Sequence, residues 1–230
     1  MHSIYKILAK IELVSYESFK KGKSIPIYYY PFFLIKGILS LFESLIRNIS
    51  GPIGFMTRRF YYKSVFKKMG KDVLIDTGVY FTSPHNISCG DRVWFDVYSV
   101  INTPISEIQI GSYVHIGPHS YMGGKKKIIL KNFCALSAGS KIFSGSTNIP
   151  PKNLTISNPM IIEKNIRGEK LNDASVILEE NSVVLSNCVV SPGVKMSKGS
   201  MLLPNSFLNK STEEYCVYIG TPARFIAKRL

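Results

Sequence analysis

The sequence predicts an all-β solenoid of triangular coils preceded by a helical segment, and three observations lead to this prediction. In residues 72–230, apolar residues recur at every sixth position. A small or short residue follows many of them four positions later. Residues 1–71 instead place apolar side chains at steps of three and four, the spacing of a helix face. A six-residue period fits neither a helix, with about 3.6 residues per turn, nor a strand, with a period of about 2.

The front segment, residues 1–71, is predicted to be helical and to lie at an interface. Pro31 suits the first turn of a helix, and Gly51-Pro52 marks its end. The apolar side of this helix comprises Phe32, Phe33, Ile35, Ile38, Leu39, Phe42, Leu45 and Ile46. Two interpretations stay open. The helix packs on the main domain or on a neighbouring subunit, or residues 31–71 contact a membrane surface through a basic collar that faces anionic lipid.

The six-residue repeat is continuous near the C-terminal end and recurs in blocks upstream. Its apolar positions are Ile75, Phe81, Cys89, Phe95, Ile101, Ile110, Ile116, Met122, Leu130, Leu136, Ile142, Leu178, Val184, Val190, Met196, Leu202 and Leu208. We expect each hexad to form one short face of a prism, with the apolar residue inside and the small residue at a corner, and three hexads to make one turn. Breaks at 103–106 and 125–127 predict short insertions, and the break at 143–173 predicts a long functional loop.

Composition and charge limit the possible partners. Apolar residues make up 45% of the 230, which excludes a disordered polar chain. The net charge of +14 indicates an anionic partner, but residues 72–230 contribute only +4, from 16 basic minus 12 acidic residues. We therefore expect no nucleic-acid ligand. The four cysteines form no C-x-x-C pair, so we expect structural thiols, no metal site and a reducing compartment.

No targeting or membrane-spanning segment is expected. Lys10 and Glu12 interrupt the apolar run at the N-terminus, and no cleavage site of a signal peptide follows. The longest uncharged apolar stretch covers 24–35 and ends at Lys36, short of the ~20 residues that a transmembrane helix needs. We expect a cytoplasmic protein, free or peripheral at the inner face of the cytoplasmic membrane.

The hexads and the end of the chain together resemble a known family. The chain reads G-x-P-A-R-x-I over residues 220–226, directly after the last coil. Residues 72–230 resemble the hexapeptide-repeat acyltransferases with a left-handed parallel β-helix. Segments 66–73 and 114–144 are similar to the branch that acetylates sugars of bacterial surface polysaccharides. The long loop departs from that branch, because residues 144–148 read Ser-Gly-Ser-Thr-Asn where two aspartates commonly end this motif.

The resemblance implies a homotrimer with an active site in each cleft between neighbouring prisms. Acetyl-CoA would lie along the coils as the acyl donor, and the acceptor would attack the thioester directly. A histidine would act as general base, and backbone N–H groups would stabilise the oxyanion. By alignment with the family motifs, Ser186, Pro204 and Lys210 line the pantetheine groove. Arg224 matches a position that meets the CoA phosphates, and Lys228 follows within reach; for the charged residues the alternative is a solvated surface charge.

Four histidines are candidates for the base, because histidine titrates near neutral pH. His115 precedes the inward Ile116, so its ring should point out of the prism, and His119 lies at a corner, also outward. His85 sits in a turn at the first coils, and His2 lies in the N-terminal segment. We expect His115, or else His119, to be catalytic. Two alternatives stay open: surface histidines with satisfied hydrogen bonds, and a three-histidine zinc site that would need His85, His115 and His119.

The predicted function is transfer of an acetyl group to a hydroxyl of a surface-polysaccharide sugar, of the O-antigen or capsule type, or of its lipid-linked precursor. An N-acetyltransferase that acts on an amino-sugar nucleotide is the close alternative. A second alternative, motivated by the altered loop, is a β-helix trimer that lacks catalytic activity and serves as a scaffold.

Overall fold

The computed structural model describes residues 2–20, 22–103, 105–145 and 173–229 of the chain. Three helices come first: α1 (His2–Lys20), α2 (Tyr30–Asn48) and α3 (Gly51–Val65). Short 3-10 turns lie at Ile27–Tyr29 and Pro84–Asn86. Within the described residues, every strand follows α3.

The strands form the three faces of a triangular prism, here called faces A, B and C. Face A contains β1 (Lys68–Met69), β4 (Ile87–Cys89), β7 (Ile108–Ile110), β10 (Ile128–Leu130), β13 (Val176–Leu178) and β16 (Lys195–Met196). Face B contains β2 (Leu74–Ile75), β5 (Trp94–Phe95), β8 (His115–Ile116), β11 (Ala135–Leu136), β14 (Val183–Val184), β17 (Met201–Leu202), β19 (Cys216–Gly220) and β20 (Ala223–Lys228). Face C contains β3 (Tyr80–Phe81), β6 (Val100–Asn102), β9 (Tyr121–Gly123), β12 (Lys141–Phe143), β15 (Val189–Val190) and β18 (Phe207–Leu208).

Each turn of the coil pairs in parallel with the turns on either side. On face B, Trp94 pairs with Leu74 before it and with His115 after it, and His115 pairs with Ala135. Neighbouring strands on face A are three apart in chain order, as three hexads per turn require. The chain is a left-handed parallel β-helix with an N-terminal helical segment, and the predicted fold class is confirmed.

The core of the prism consists of the hexad side chains. Every apolar hexad position named above is buried. The small residues predicted at the corners, such as Ser140, Ser182 and Ser200, are fully buried as well. At the N-terminal end the aromatic residues Phe81 and Phe95 pack edge to face, with ring centroids 5.2 Å apart. The period of six therefore predicted the orientation of each side chain as well as the coil.

Helix α3 closes the N-terminal end of the prism. Its residues Tyr62 and Val65 are buried against the first turn, and Arg58 is fully buried. The guanidinium of Arg58 donates hydrogen bonds to the carbonyl of Ile75 in β2, at 2.8 Å, and to carbonyls at the end of α2. The last carbonyls of a helix lack the usual intrahelical donor; that of Ile46 accepts in addition from the capping N–H of Ile49 at 3.4 Å. The first strand begins at Lys68, four residues before residue 72; the boundary between the two regions stays a prediction.

Helix α2 turns its polar side towards the rest of the protein. Its polar residues Lys36, Ser40, Glu43 and Arg47 line a cavity between α1, α2 and face C. Its outward apolar residues, each 60–70% exposed, are Leu34, Ile38, Leu41 and Leu45. The apolar side expected from the spacing included Ile38 and Leu45 but not Leu34 or Leu41. Two of its members, Leu39 and Ile46, instead face the cavity and the core. The direction in which each side points was not predicted.

Among the described residues, one helical segment, 27–48, is long and apolar enough to cross a membrane by length and composition alone. This differs from the expectation that Lys36 ends the apolar run. One lysine interrupts that run but does not lower its average hydropathy enough to disqualify the segment. Only 11% of this apolar window is buried inside the protein, so it is not a core helix.

The chain ends in an antiparallel hairpin of β19 and β20 on face B. The family-like motif of residues 220–226 spans the turn and the first half of β20. Most of the long loop expected at 143–173 lies outside the described residues. Ser144, at its start, is buried, and its hydroxyl donates a hydrogen bond to the carbonyl of Lys126 at 2.6 Å.

Candidate active site

His115 stands on the outer surface of face B. It is the first residue of β8, and Ile116, the next residue, points into the core. Because successive residues of a strand face opposite sides, the imidazole points outward, as predicted. Its side chain is 40% exposed. The ring can therefore meet a ligand bound along this face.

The imidazole of His115 is hydrogen-bonded to a carboxylate from the preceding turn. Its Nε2 lies 3.1 Å from Oδ2 of Asp96, whose side chain is only 15% exposed. The other carboxylate oxygen, Oδ1, accepts a hydrogen bond from the backbone N–H of Val97 at 2.7 Å. An ionised carboxylate can only accept, so Nε2 carries the proton in this pair. The free nitrogen, Nδ1, is the one that can take a proton from a substrate.

Trp94 covers one side of the His115 ring. The two rings are stacked with centroids 4.5 Å apart and planes 21° apart. Trp94 is the direct partner of His115 in the parallel pairing of β5 and β8. The indole and Asp96 thus limit how the imidazole can rotate, which prepares it for proton transfer in one orientation.

His119 occupies the corner between faces B and C. Its backbone has a φ of 55°, and its exposed ring stacks on Tyr98 with centroids 5.5 Å apart. Within the described residues no carboxylate is hydrogen-bonded to it. Of the two predicted bases, His115 has the geometry of an oriented general base, and His119 has a stacking partner only.

His85 and the cysteines have environments that do not suit this chemistry. Burial, helped by His2, Lys6 and Lys36, lowers the pKa of His85 to about 4. Its ring is 5% exposed and lies beside α1 at the edge of face C. In the part of the chain that the structure describes, no three His, Cys, Asp or Glu side chains converge as metal ligands would. All four cysteines are free and buried, and burial raises the pKa of Cys89 to about 12.

The predicted CoA-binding residues lie on different edges of one protomer. Ser186 and Pro204 share the corner between faces B and C in successive turns, where the N–H of Asn205 donates to the carbonyl of Ser186 at 3.0 Å. Arg224, near the start of β20, lies at the same edge, because its partner Ile219 is the residue before Gly220, where β19 ends. Lys228 pairs with Cys216 at the opposite end of the hairpin. Lys210 follows β18 and lies at the far end of face C.

Two residues of this site were not predicted from the sequence, namely Asp96 and Trp94. A turn of three hexads spans 18 residues, so counting back from His115 leads to Val97 rather than to Trp94. The insertion at 103–106 lengthens this turn to 21 residues, as the pairing of Trp94 with His115 shows. The four positions 103–106 add only three residues to the turn, so counting them in full would have led to Val93, one residue short of Trp94.

Comparison with known proteins indicates acyl transfer. No protein-family model matches the chain. It is 25% identical over 164 residues to the dTDP-4-amino-4,6-dideoxy-D-glucose acyltransferase of Escherichia coli, which covers 71% of this chain and 83% of that protein. It is 28% identical over 123 residues to a probable macrolide acetyltransferase of Lysinibacillus sphaericus, covering 48% of this chain and 65% of that protein.

Solved structures share the fold. The N-acyltransferase AntD from Bacillus cereus, solved in complex with dTDP and 3-hydroxybutyryl-CoA, superimposes with a TM-score of 0.65 at 23% identity, covering 75% of this chain and 88% of that one. A maltose O-acetyltransferase from Clostridium difficile 630 gives a TM-score of 0.51 at 15% identity, with 81% and 82% covered. The six-residue repeat and the coil are thus those of a left-handed parallel β-helix, and the curated relatives that the chain resembles are acyltransferases.

Proposed function

We propose that the protein transfers an acyl group, such as acetyl, from acyl-CoA to the amino group of a nucleotide-linked amino sugar, with His115 as general base. The observation that carries this proposal is the hydrogen bond between His115 and Asp96 on an exposed face of the coil. It gives an outward imidazole a defined proton-accepting nitrogen.

The reaction needs one nucleophile and one base. The acceptor nitrogen attacks the thioester carbonyl, and a carbon–nitrogen bond forms as the carbonyl oxygen becomes an oxyanion. Nδ1 of His115 takes the proton that the nitrogen loses. The carbon–sulfur bond then breaks, and the imidazolium returns a proton to the CoA thiolate, which leaves as the thiol. Asp96 holds the imidazole in the required tautomer and stabilises its charged form.

The choice of an amine over a hydroxyl rests on the relatives. The Escherichia coli protein is named for a dTDP-linked 4-amino sugar, and AntD is an N-acyltransferase bound to dTDP. The second candidate is the O-acetylation of a surface-polysaccharide sugar or its lipid-linked precursor. The exposed apolar side of α2 favours that candidate, since it would bring the enzyme to a membrane-bound acceptor.

For the acyl donor we propose the edge between faces B and C. Ser186 and Pro204 lie in successive turns there, and Arg224 offers a cation for the phosphates of CoA. Lys210 and Lys228 lie on other parts of the protomer, so they can reach the same CoA only across a cleft between protomers. This part of the proposal therefore includes a homotrimer.

We also propose that α2 brings the protein to the inner face of the cytoplasmic membrane. Without a partner, its outward leucines and isoleucine are exposed to water. Burying each of these side chains is favourable by about 1.5–3 kcal/mol. Residues 1–71 supply 13 basic against 3 acidic residues, which suits an anionic lipid surface.

The proposed reaction is tested by CoA release from acetyl-CoA with matched acceptors. One acceptor is dTDP-4-amino-4,6-dideoxyglucose, and its control is the same nucleotide sugar with a hydroxyl at carbon 4. We expect release only with the amine. Release with the hydroxyl compound alone would favour O-acetylation. No release with either acceptor, together with no binding of acetyl-CoA, would contradict an enzyme and favour the scaffold.

A further inference from the structure

A cavity of about 660 Å³ lies between α1, α2 and the first turns of face C. Its volume is in the range of about 300–1,000 Å³ that is usual for small-molecule sites. The coil contributes β3, the start of face C, and the 3-10 turn Pro84–Asn86, whereas His115 and Asp96 lie on face B. The cavity is therefore separate from the proposed active site.

Two buried nitrogen atoms at this cavity have no hydrogen-bond partner. They are Nδ1 of His85 and Nε of Arg47, and both residues line the cavity. The His85 side chain is 95% buried, given its 5% exposure. An unsatisfied buried polar group costs about 1–3 kcal/mol, and native structures seldom contain one without a reason. A ligand in the cavity would supply the acceptor that the Nε–H of Arg47 lacks, and that His85 lacks in the tautomer with its proton on Nδ1.

The charges around the cavity favour a ligand with one negative charge. Lys36 is paired with Glu12. Glu43 accepts a hydrogen bond from the hydroxyl of Tyr62 at 2.7 Å, and burial raises its pKa. Arg47 forms no ion pair with any carboxylate of the described residues, and its guanidinium lies 4.5 Å from the ring centroid of Tyr80. Arg47 acts on Glu43 at longer range, since its charge lowers the pKa of that carboxyl, but its guanidinium makes no direct ion pair and can still take an anionic ligand.

The wall that α1 contributes to the cavity is largely apolar, whereas α2 contributes mainly polar residues. Leu8 and Leu13 of α1 and Leu39 of α2 line it, together with aromatic side chains. A small inorganic anion would leave these side chains without a partner. An alkyl or acyl chain would cover them, and each buried methylene adds about 0.8 kcal/mol.

We propose that this cavity binds a singly charged amphiphilic anion, whose head contacts Arg47 and His85 and whose apolar chain lies against α1 and Leu39 of α2. A fatty carboxylate and a phosphodiester lipid both have this chemistry. The site goes beyond the proposed acyl transfer, because neither His115 nor the predicted CoA residues contribute to it.

The test is calorimetric titration of the full-length protein with dodecanoate below its micelle concentration. Dihexanoyl phosphatidylglycerol tests the phosphodiester source, and dihexanoyl phosphatidylcholine and inorganic phosphate are the controls for charge and for the chain. We expect one anion per chain, with either control bound at least about tenfold more weakly. Saturating CoA should leave the binding unchanged. Equal affinity for inorganic phosphate, displacement by CoA, or no binding of either amphiphilic anion would overturn the proposal.

Variants of the cavity and a matched control complete the test. Arg47→Gln should weaken binding at least about tenfold, whereas Arg47→Lys, which keeps the charge, should retain most of it. Arg59→Gln removes the same charge from α3 outside the cavity and should have no effect. Circular dichroism establishes that each variant is folded. Equally weak binding by Arg47→Gln and Arg47→Lys would contradict the site. Equally weak binding by Arg47→Gln and Arg59→Gln would contradict it as well. None of these measurements depends on acyl transfer.

Discussion

Nε2 of His115 and Oδ2 of Asp96 lie 3.1 Å apart although the two residues belong to successive turns of the coil. The pairing of β5 with β8 brings them together, and the N–H of Val97 holds the second carboxylate oxygen. This arrangement separates two functions within one imidazole. One nitrogen is bonded to the carboxylate, and the other can accept a proton.

His115→Ala should lower kcat for acyl transfer by about 10²–10⁴-fold, the usual contribution of a general base. The KM for acetyl-CoA should change little, since the base contacts the acceptor. His119→Ala is the control, and we expect it to keep most of the activity, because its ring lacks a carboxylate partner. The measurement is thiol release under saturating acetyl-CoA. Full activity in His115→Ala, together with loss of activity in His119→Ala, would mean that His119 is the general base.

Asp96→Asn should lower kcat by less than the loss of His115 and should alter the pH profile of kcat. The amide can donate a hydrogen bond to Nε2, which would put the imidazole proton on Nδ1, the nitrogen that must be free. Asp76→Asn is a matched control, since Asp76 follows β2 one turn earlier and its Oδ1 likewise accepts from the next N–H, at 2.6 Å. Equal effects of the two substitutions on kcat and its pH profile would argue against a positioning role.

The coil could be predicted from the sequence because its period is local. Each inward residue, such as Val184 or Leu202, occurs six positions from the next, and its burial follows from that spacing. The contact of His115 with Asp96 is not local. It depends on how many residues an insertion adds to one turn. The residues at 103–106 do not determine how the strands on either side pair.

The orientation of α2 was also beyond the sequence. The spacing of Lys36 and Arg47 defines a polar side, and an amphipathic helix usually places that side in water. Here the polar side faces a cavity, where Glu43 accepts a hydrogen bond from Tyr62 and Arg47 stacks on Tyr80. These partners come from α3 and from the coil. Their position relative to α2 is set by tertiary packing, and the period of a sequence does not predict such packing.

Arg58→Met should destabilise the fold by at least about 3 kcal/mol. The substitution keeps an unbranched side chain but removes the donors to the carbonyls of Ile75 and of the end of α2, and each unsatisfied buried group costs about 1–3 kcal/mol. Urea unfolding measures the loss as a lower midpoint. Arg59→Met is the control: Arg59 is on the same helix but partly exposed, 3.5 Å from Asp72, and such a pair contributes about 0–1 kcal/mol. Similar losses in both variants would refute the role of Arg58.

His85 should make stability fall as the pH decreases from about 6.5 towards 4. Burial lowers its pKa in the folded protein from 6.5 to about 4, so between these values the unfolded chain binds more protons than the folded one. The neutral ring contributes its full stabilisation above pH 6.5. Below that pH, the free energy of unfolding falls by up to about 1.4 kcal/mol per pH unit. His85→Gln should show a shallower slope in urea unfolding at pH 7, 6 and 5, and His119→Gln should match the wild type. An unchanged slope in His85→Gln would contradict this assignment.

The outward side of α2 is the surface that would contact a membrane. If it meets anionic lipid, the protein should sediment with vesicles of phosphatidylglycerol more than with vesicles of phosphatidylcholine, and added salt should reduce this difference. Leu41→Glu should weaken the binding, because it places a charge on an apolar residue that is 70% exposed. Ile105→Glu is the control, an exposed apolar residue in the insertion of the coil. Unchanged vesicle binding, together with a smaller assembly for Leu41→Glu in size-exclusion chromatography, would mean that this side of α2 contacts a neighbouring subunit rather than a membrane.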